Sequence, residues 1–138
     1  MSFYFRYAAD TLPFEVGAAE TGQMRRSDGN QGYLSFGPYA ALEPGSYVAG
    51  FHLRDVGSSN DNAVVVDVIA GNGAGMLAVK RHPVKKLFND LSSFVFLSFE
   101  AETQLEDVEV RLFVEAGVIV ESEGLTIFRC DERRWSCA

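Results

Sequence analysis

The sequence is poor in the residues on which most site chemistry depends. It carries two histidines, His52 and His82, and two cysteines, Cys130 and Cys137, in 138 residues. A structural zinc site needs four ligands of these types, and neither histidine stands at finger spacing from a cysteine. There is no His-x-His pair, no nucleophile elbow, no zinc-protease motif and no glycine-rich loop followed by Lys-Ser/Thr. The run Gly71-Asn72-Gly73-Ala74-Gly75 matches a phosphate loop only in its glycines and reads as a hairpin loop. Long apolar runs are also missing: Val64-Val65-Val66 and Phe94 to Leu97 are far shorter than a bilayer span, so no membrane insertion is expected. The formal charge is -7. The largest basic cluster is Lys80-Arg81 with Lys85-Lys86, so the chain repels a phosphate backbone and nucleic acid is excluded as a partner. The start MSFYFRYAAD lacks a basic region followed by an apolar one, so no secretory signal is visible and the default location is cytoplasmic. In that compartment Cys130 and Cys137 are expected as free thiols, and as a local disulfide if the chain meets oxidant.

What the sequence does have is strand signal. Its composition is 47% apolar and 22% charged, ordinary for a globular domain. Runs rich in Val, Phe, Tyr and Ile are broken by Gly, Asn, Asp and Pro every eight to twelve residues. Strands are expected near Phe3–Ala9, Phe14–Met24, Gly32–Phe36, Ser46–Arg54, Ala63–Ala70, Gly75–Pro83, Ser93–Glu100, Val108–Glu115 and Val118–Phe128. Val84 to Leu91 has room for one helical turn or a loop. Eight or nine antiparallel strands in one domain bury their apolar faces by stacking as two sheets. The expected fold is therefore all-β, an antiparallel β-sandwich of jelly-roll type spanning 1–129, with a tail at 130–138.

Alternation assigns side chains to faces, because successive strand residues point to opposite sides. Tyr47, Ala49, Phe51 and Leu53 are core by this rule, as are Val64, Val66 and Val68, and Val108, Val110, Leu112 and Val114. Leu34 and Phe36 are assigned to the core as well. The opposite sets are mixed: His52 and Arg54; Val65, Asp67 and Ile69; Glu109, Arg111, Phe113 and Glu115. A plain solvated face would be uniformly polar. A carboxylate, a guanidinium, an imidazole and an aromatic ring on one sheet can instead bond a sugar's hydroxyls while the ring covers its C–H face. The simpler reading is that Asp67 and Arg111 form a cross-strand ion pair and Phe113 covers a neighbouring strand. Gly37-Pro38 should break the preceding strand and re-aim Tyr39.

The block Gly32-x-Leu34-x-Phe36-Gly37-Pro38-Tyr39-x-x-Leu42-x-x-Gly45-x-Tyr47-x-x-x-Phe51, followed by Val66-Asp67-Val68 and Val108-Glu109-Val110-Arg111, resembles a group of bacterial jelly-roll domains. These are similar to carbohydrate-binding modules and are often appended to glycosyltransferases and other surface-polysaccharide proteins. The resemblance runs from Gly32 to Phe128. It implies a lectin-like module that binds glycan and has no catalysis of its own. Asp67 and Arg111 match the polar positions of the pattern; His52, Arg54, Phe113 and Tyr39 join them as ligand-binding candidates on the face argument. The chain reads as free-standing, so avidity would come from homo-oligomerisation.

Two alternatives stay open. Val65, Ile69, Phe113 and Trp135 could form a subunit interface in a self-associating structural module with no sugar ligand. An enzyme acting on a sugar would need two of the many carboxylates, such as Glu100, Glu102, Glu106, Asp107, Glu109, Glu121 and Glu123, facing each other across a cleft. No cofactor is required. Asp55 to Asn62 is rich in the oxygen ligands that suit calcium, with Asp55 and Asp61 as its carboxylates, but that composition is also ordinary for a surface loop.

Overall fold

The architecture comes from a computed structural model, which describes residues 4–55, 62–71, 74–87 and 92–130. Eleven strands follow one another: β1 Tyr4–Ala8, β2 Ala18–Glu20, β3 Met24–Arg26, β4 Gly32–Ser35, β5 Pro38–Leu42, β6 Gly45–Asp55, β7 Ala63–Ala70, β8 Gly75–Pro83, β9 Ser92–Ala101, β10 Leu105–Val114 and β11 Val120–Arg129. One helical turn, α1 at Val84–Leu87, follows β8. The strands form two antiparallel sheets. The six-stranded sheet runs β2-β3-β11-β6-β9, with β1 also on β11; the five-stranded sheet runs β4-β10-β7-β8, with β5 also on β10.

Each sheet has one long strand whose free edge is shared by two short ones. Along β11, β3 pairs at Glu121 and Ser122 and β1 takes over from Gly124 to Phe128, with a register shift between them. Gly124, at φ +131°, makes the changeover feasible: a Cβ there would collide with the Tyr7 carbonyl. On β10, β5 pairs near Leu105 to Glu109 and β4 near Leu112 to Val114, again across bulges.

The core lies between the sheets, and alternation identifies it. Tyr47, Ala49, Phe51 and Leu53 of β6 face Val64, Val66 and Val68 of β7 and Val108, Val110, Leu112 and Val114 of β10 in one buried cluster. Leu34, Leu125 and Ile127 belong to the same cluster, as do Val95, Leu97 and Phe99 of β9. At roughly 1.5 to 3 kcal/mol per buried Val, Leu, Ile or Phe side chain, this cluster is the main source of stability. Ser27 ties one end shut, its hydroxyl donating to the Val118 carbonyl (2.8 Å) and accepting the Val120 N–H (2.9 Å).

Three expectations need correction. The strand foreseen at Phe14–Met24 is only β2 and the first residue of β3, because Gly17, Gly22 and Gln23 adopt positive φ and a 3-10 turn occupies Thr21–Gln23. The eight or nine foreseen strands are eleven, since that segment is split into β2 and β3 and Pro38–Leu42 pairs with β10. Phe36 is not core: it is half-buried with its ring edge-on to Tyr33, 6.3 Å away. At the end of β11 the Cys130 N–H bonds the Ser46 carbonyl (2.9 Å).

Candidate functional site

The outer face of the five-stranded sheet is organised by β10. Its outward residues Glu109, Arg111 and Phe113 stand two apart, opposite Ile69, Asp67 and Val65 of β7, and Glu115 follows just past its end. Arg111 and Asp67 are therefore direct cross-strand neighbours, and their side chains meet as a fork. Arg111 Nε donates to Asp67 Oδ1 at 2.7 Å and Nη2 donates to Oδ2 at 3.0 Å. The Asp67 side chain is 7% exposed and that of Arg111 22%. The Asp67 hydrogen bond, ahead of its charge, raises Arg111 above the ordinary guanidinium range, while burial works against it.

A guanidinium has five N–H donors, and Asp67 takes two of them. No other protein acceptor bonds Arg111 among the described residues. Its plane lies 4.9 Å from the Tyr33 ring centroid, a cation–π distance. Tyr33 meets Phe113 edge-on at 5.2 Å, opposite it in register. Tyr33, Phe36 and Phe113 thus form a half-buried aromatic patch beside a charged fork whose orientation is fixed before any ligand arrives.

Beyond Arg111 along β10 lies Tyr39. Its peptide follows the cis Gly37-Pro38 bond, its φ is +69° and it is 48% exposed. As foreseen, Gly37-Pro38 ends β4 and turns Tyr39 out. Desolvation, then the nearby Glu109 charge, raises its phenol's pKa. At the other end, Arg81 Nη2 and Nε donate to Glu115 at 2.8 and 3.0 Å. That bond, more than any other influence, lowers the Glu115 pKa.

The sequence-derived candidates do not converge on one face. Asp67, Arg111, Phe113 and Tyr39 share the five-stranded sheet. His52 and Arg54 belong to β6 and so stand on the outer face of the other sheet, with the whole core between. Alternation marks both as outward without saying which sheet is theirs. There His52 lies 4.5 Å from Phe94, which stacks on Phe96 at 5.5 Å. Arg54 reaches Glu123 at 3.6 Å, both well exposed. The cross-strand ion pair foreseen as the simpler reading is real, but it leaves the outward donors of Arg111 uncommitted.

Tyr33 and Phe36 are not among the ligand-binding candidates read from the sequence, and Glu109 is named there only among the carboxylates an enzyme would need. Tyr33 was within reach of the same rule, since Leu34 beside it is core. The Asp55 side chain and Asp61 lie outside the described residues, as do Trp135 and Cys137. Cys130 is buried and disulfide-bonded, so the free thiol expected there is not present. Among the described residues no group of three or more His, Cys, Asp or Glu is placed to hold a metal ion.

The sequence matches no protein-family model and no curated protein. The fold is similar to that of solved structures. One is a carbohydrate-binding module of Cellvibrio mixtus lichenase 5A in complex with cellotriose (TM-score 0.60, 10% identity, 92% of this chain and 98% of that one). Another is the N-terminal part of Clostridium thermocellum endo-1,4-beta-D-xylanase 10B, a carbohydrate-binding and a catalytic module complexed with xylohexaose (TM-score 0.51, 14% identity). In that case 99% of this chain is covered but 27% of the other. These likenesses establish a shared β-sandwich fold.

Proposed function

We propose that this domain is a non-catalytic carbohydrate-binding module whose ligand lies on the outer face of the five-stranded sheet. The observation that carries this reading is the Asp67–Arg111 fork backed by Tyr33. It presents oriented, uncommitted N–H donors next to Tyr33, Phe36 and Phe113. Sugars require this combination: donors in fixed directions for hydroxyl oxygens, and an aromatic surface for the C–H face. Fixing Arg111 in advance removes side-chain ordering from the cost of binding. That these two similar folds were solved with cellotriose and with xylohexaose supports a glycan ligand.

A glycan array followed by calorimetric titration tests the reading. Tyr33→Leu, which keeps apolar packing but removes the ring, should weaken binding at least about tenfold, or about 1.4 kcal/mol. Arg111→Lys keeps the charge, loses the fork and should do the same. The absence of binding to every glycan at about 1 mM removes the proposal.

One observation favours a second use of the same face. Met76 and Val79 on the edge strand β8 are 55% and 58% exposed. With Val65, Ile69 and Phe113 they extend an apolar strip suited to a second copy of the chain. Light scattering decides: a strict monomer at high concentration rules it out.

A further inference from the structure

The Asp67–Arg111 fork occupies one edge of the guanidinium and leaves a second edge open. Asp67 accepts from Nε and from one N–H of Nη2, the lateral pair of donors. What remains is the terminal edge, where an N–H of Nη1 and the second N–H of Nη2 lie parallel in one plane. Nη1 bonds no acceptor among the described residues, yet it is not a buried unsatisfied group as Arg25 Nε is, so it opens to solvent. Asp67 on β7 and Tyr33 on β4 hold the guanidinium from strands on either side of β10, the Tyr33 ring centroid at 4.9 Å. The direction of the open edge is therefore set by the fold. Its charge is already matched: Asp67 pairs with it, and Glu109, two residues along on the same face, adds a second carboxylate whose charge acts on it. The edge thus asks for two oxygens side by side that bring no further negative charge.

We propose that the open edge of Arg111 grips two adjacent hydroxyl oxygens of one sugar ring, which makes the site selective for glycans whose interior residues keep a free vicinal diol: 1,4-linked chains over 1,3-linked ones. The inference rests on the carbohydrate-binding reading given above. Adjacent gauche hydroxyls on a pyranose ring hold their oxygens close to the spacing of two parallel Nη donors. A lone hydroxyl fills one donor and leaves the other unpaired against the ligand. In a 1,4-linked hexopyranose chain every interior residue leaves O2 and O3 free. In a 1,3-linked chain O3 is the bridge, with O2 and O4 on either side of it, and adjacent free hydroxyls occur only at the chain ends. Equatorial–equatorial and axial–equatorial diols are both gauche, so the edge reads linkage rather than epimer. A carboxylate also offers two oxygens, but it would be the third acting on one guanidinium, after Asp67 and Glu109.

The test titrates three hexamers calorimetrically, cellohexaose, laminarihexaose and a β-1,4-linked glucuronan, into wild type and Arg111→Lys at neutral pH, after circular dichroism has shown the variant folded. Lys keeps a positive charge for Asp67 but has no planar pair of donors. Wild type should bind cellohexaose about tenfold more tightly than laminarihexaose, and the glucuronan no more tightly than cellohexaose. Arg111→Lys should weaken both neutral glucans and bring them within about twofold of each other. A second measurement needs no variant: in nuclear magnetic resonance of wild type the Arg111 Nε–H signal, which reports the Asp67 edge, should stay in place as cellohexaose is added while the Nη signals move. Equal affinity for the two linkages in wild type, a preference that survives Arg111→Lys, or Nη signals that do not respond overturn the diol and leave carbohydrate binding intact. Tighter binding of the glucuronan assigns the edge to a carboxylate and overturns it as well. Failure of all three hexamers, together with a blank glycan array, overturns the carbohydrate reading itself and this inference with it.

Discussion

Replacing Arg111 with methionine tests whether the fork is as fixed as its geometry implies. Met keeps most of the aliphatic stem and removes all five donors. Asp67 is then left with its side chain 7% exposed and both oxygens stripped of bonds of 2.7 and 3.0 Å. Breaking a buried pair by removing one partner costs about 3 to 5 kcal/mol. Because the Arg111 side chain is 22% exposed, the pair opens towards water and the lower end applies, about 3 kcal/mol. For a domain of this length that is a fall in Tm of about 10 °C. Asp67→Leu should cost less, because the freed guanidinium can turn to solvent while resting on Tyr33. The double variant Asp67→Leu/Arg111→Met buries no unpaired charge and should recover to within about 1 kcal/mol of wild type. Urea unfolding with linear extrapolation, run as a double-mutant cycle, reads the coupling directly. If Arg111→Met costs under about 1 kcal/mol, or the double variant equals the sum of the singles, Arg111 is not held by Asp67 and the preorganisation argument fails.

Three further predictions concern the scaffold. His82 is buried on β8 with no partner for Nε2, and burial, then the nearby Lys80 charge, lowers its pKa. The unfolded chain thus takes up a proton near its ordinary value of 6.5 before the folded chain does. Stability is full above that pH and falls as pH drops below it; His82→Leu should flatten this slope in urea midpoints, and an unchanged slope contradicts the assignment. Glu115 is lowered instead, chiefly by Arg81, so its contribution is present above its ordinary value of 4.5 and is lost on further acidification. Glu115→Gln should therefore weaken the fold at neutral pH, and the difference from wild type should shrink as pH falls below 4.5 and the folded-state carboxylate takes up its proton. Gly50 on β6 is packed against the Val95 carbonyl and the Phe96 Cα of β9. Gly50→Ala should cost about 1 to 3 kcal/mol by forcing the two strands apart, measured as a lower urea midpoint at unchanged slope. A neutral effect would mean that β9 yields easily.

The strands with unbroken alternation were legible because burial on one face imposes a period of two on any strand, whatever its neighbours. β7 and β8 occupy the ranges read from sequence, Ala63–Ala70 and Gly75–Pro83, and the inward sets of β6, β7 and β10 are all core. The stretch before Met24 misled because its apolar residues are real but its glycines turn the chain. Phe36 misled for a related reason: a register shift at Leu112/Phe113 interrupts the alternation beside it.

The sequence by itself determined the two-layer all-β fold, the inner face of each long strand and the outward position of Asp67, Arg111, Phe113, His52 and Arg54. A side chain's direction depends on its own strand, and that information is local. Which strands share a sheet was decided only by the tertiary structure, since pairing joins residues as distant as Asp67 and Arg111. The two outer faces read alike along the chain; folding puts the Asp67–Arg111 fork on one and His52 on the other, divided by the core.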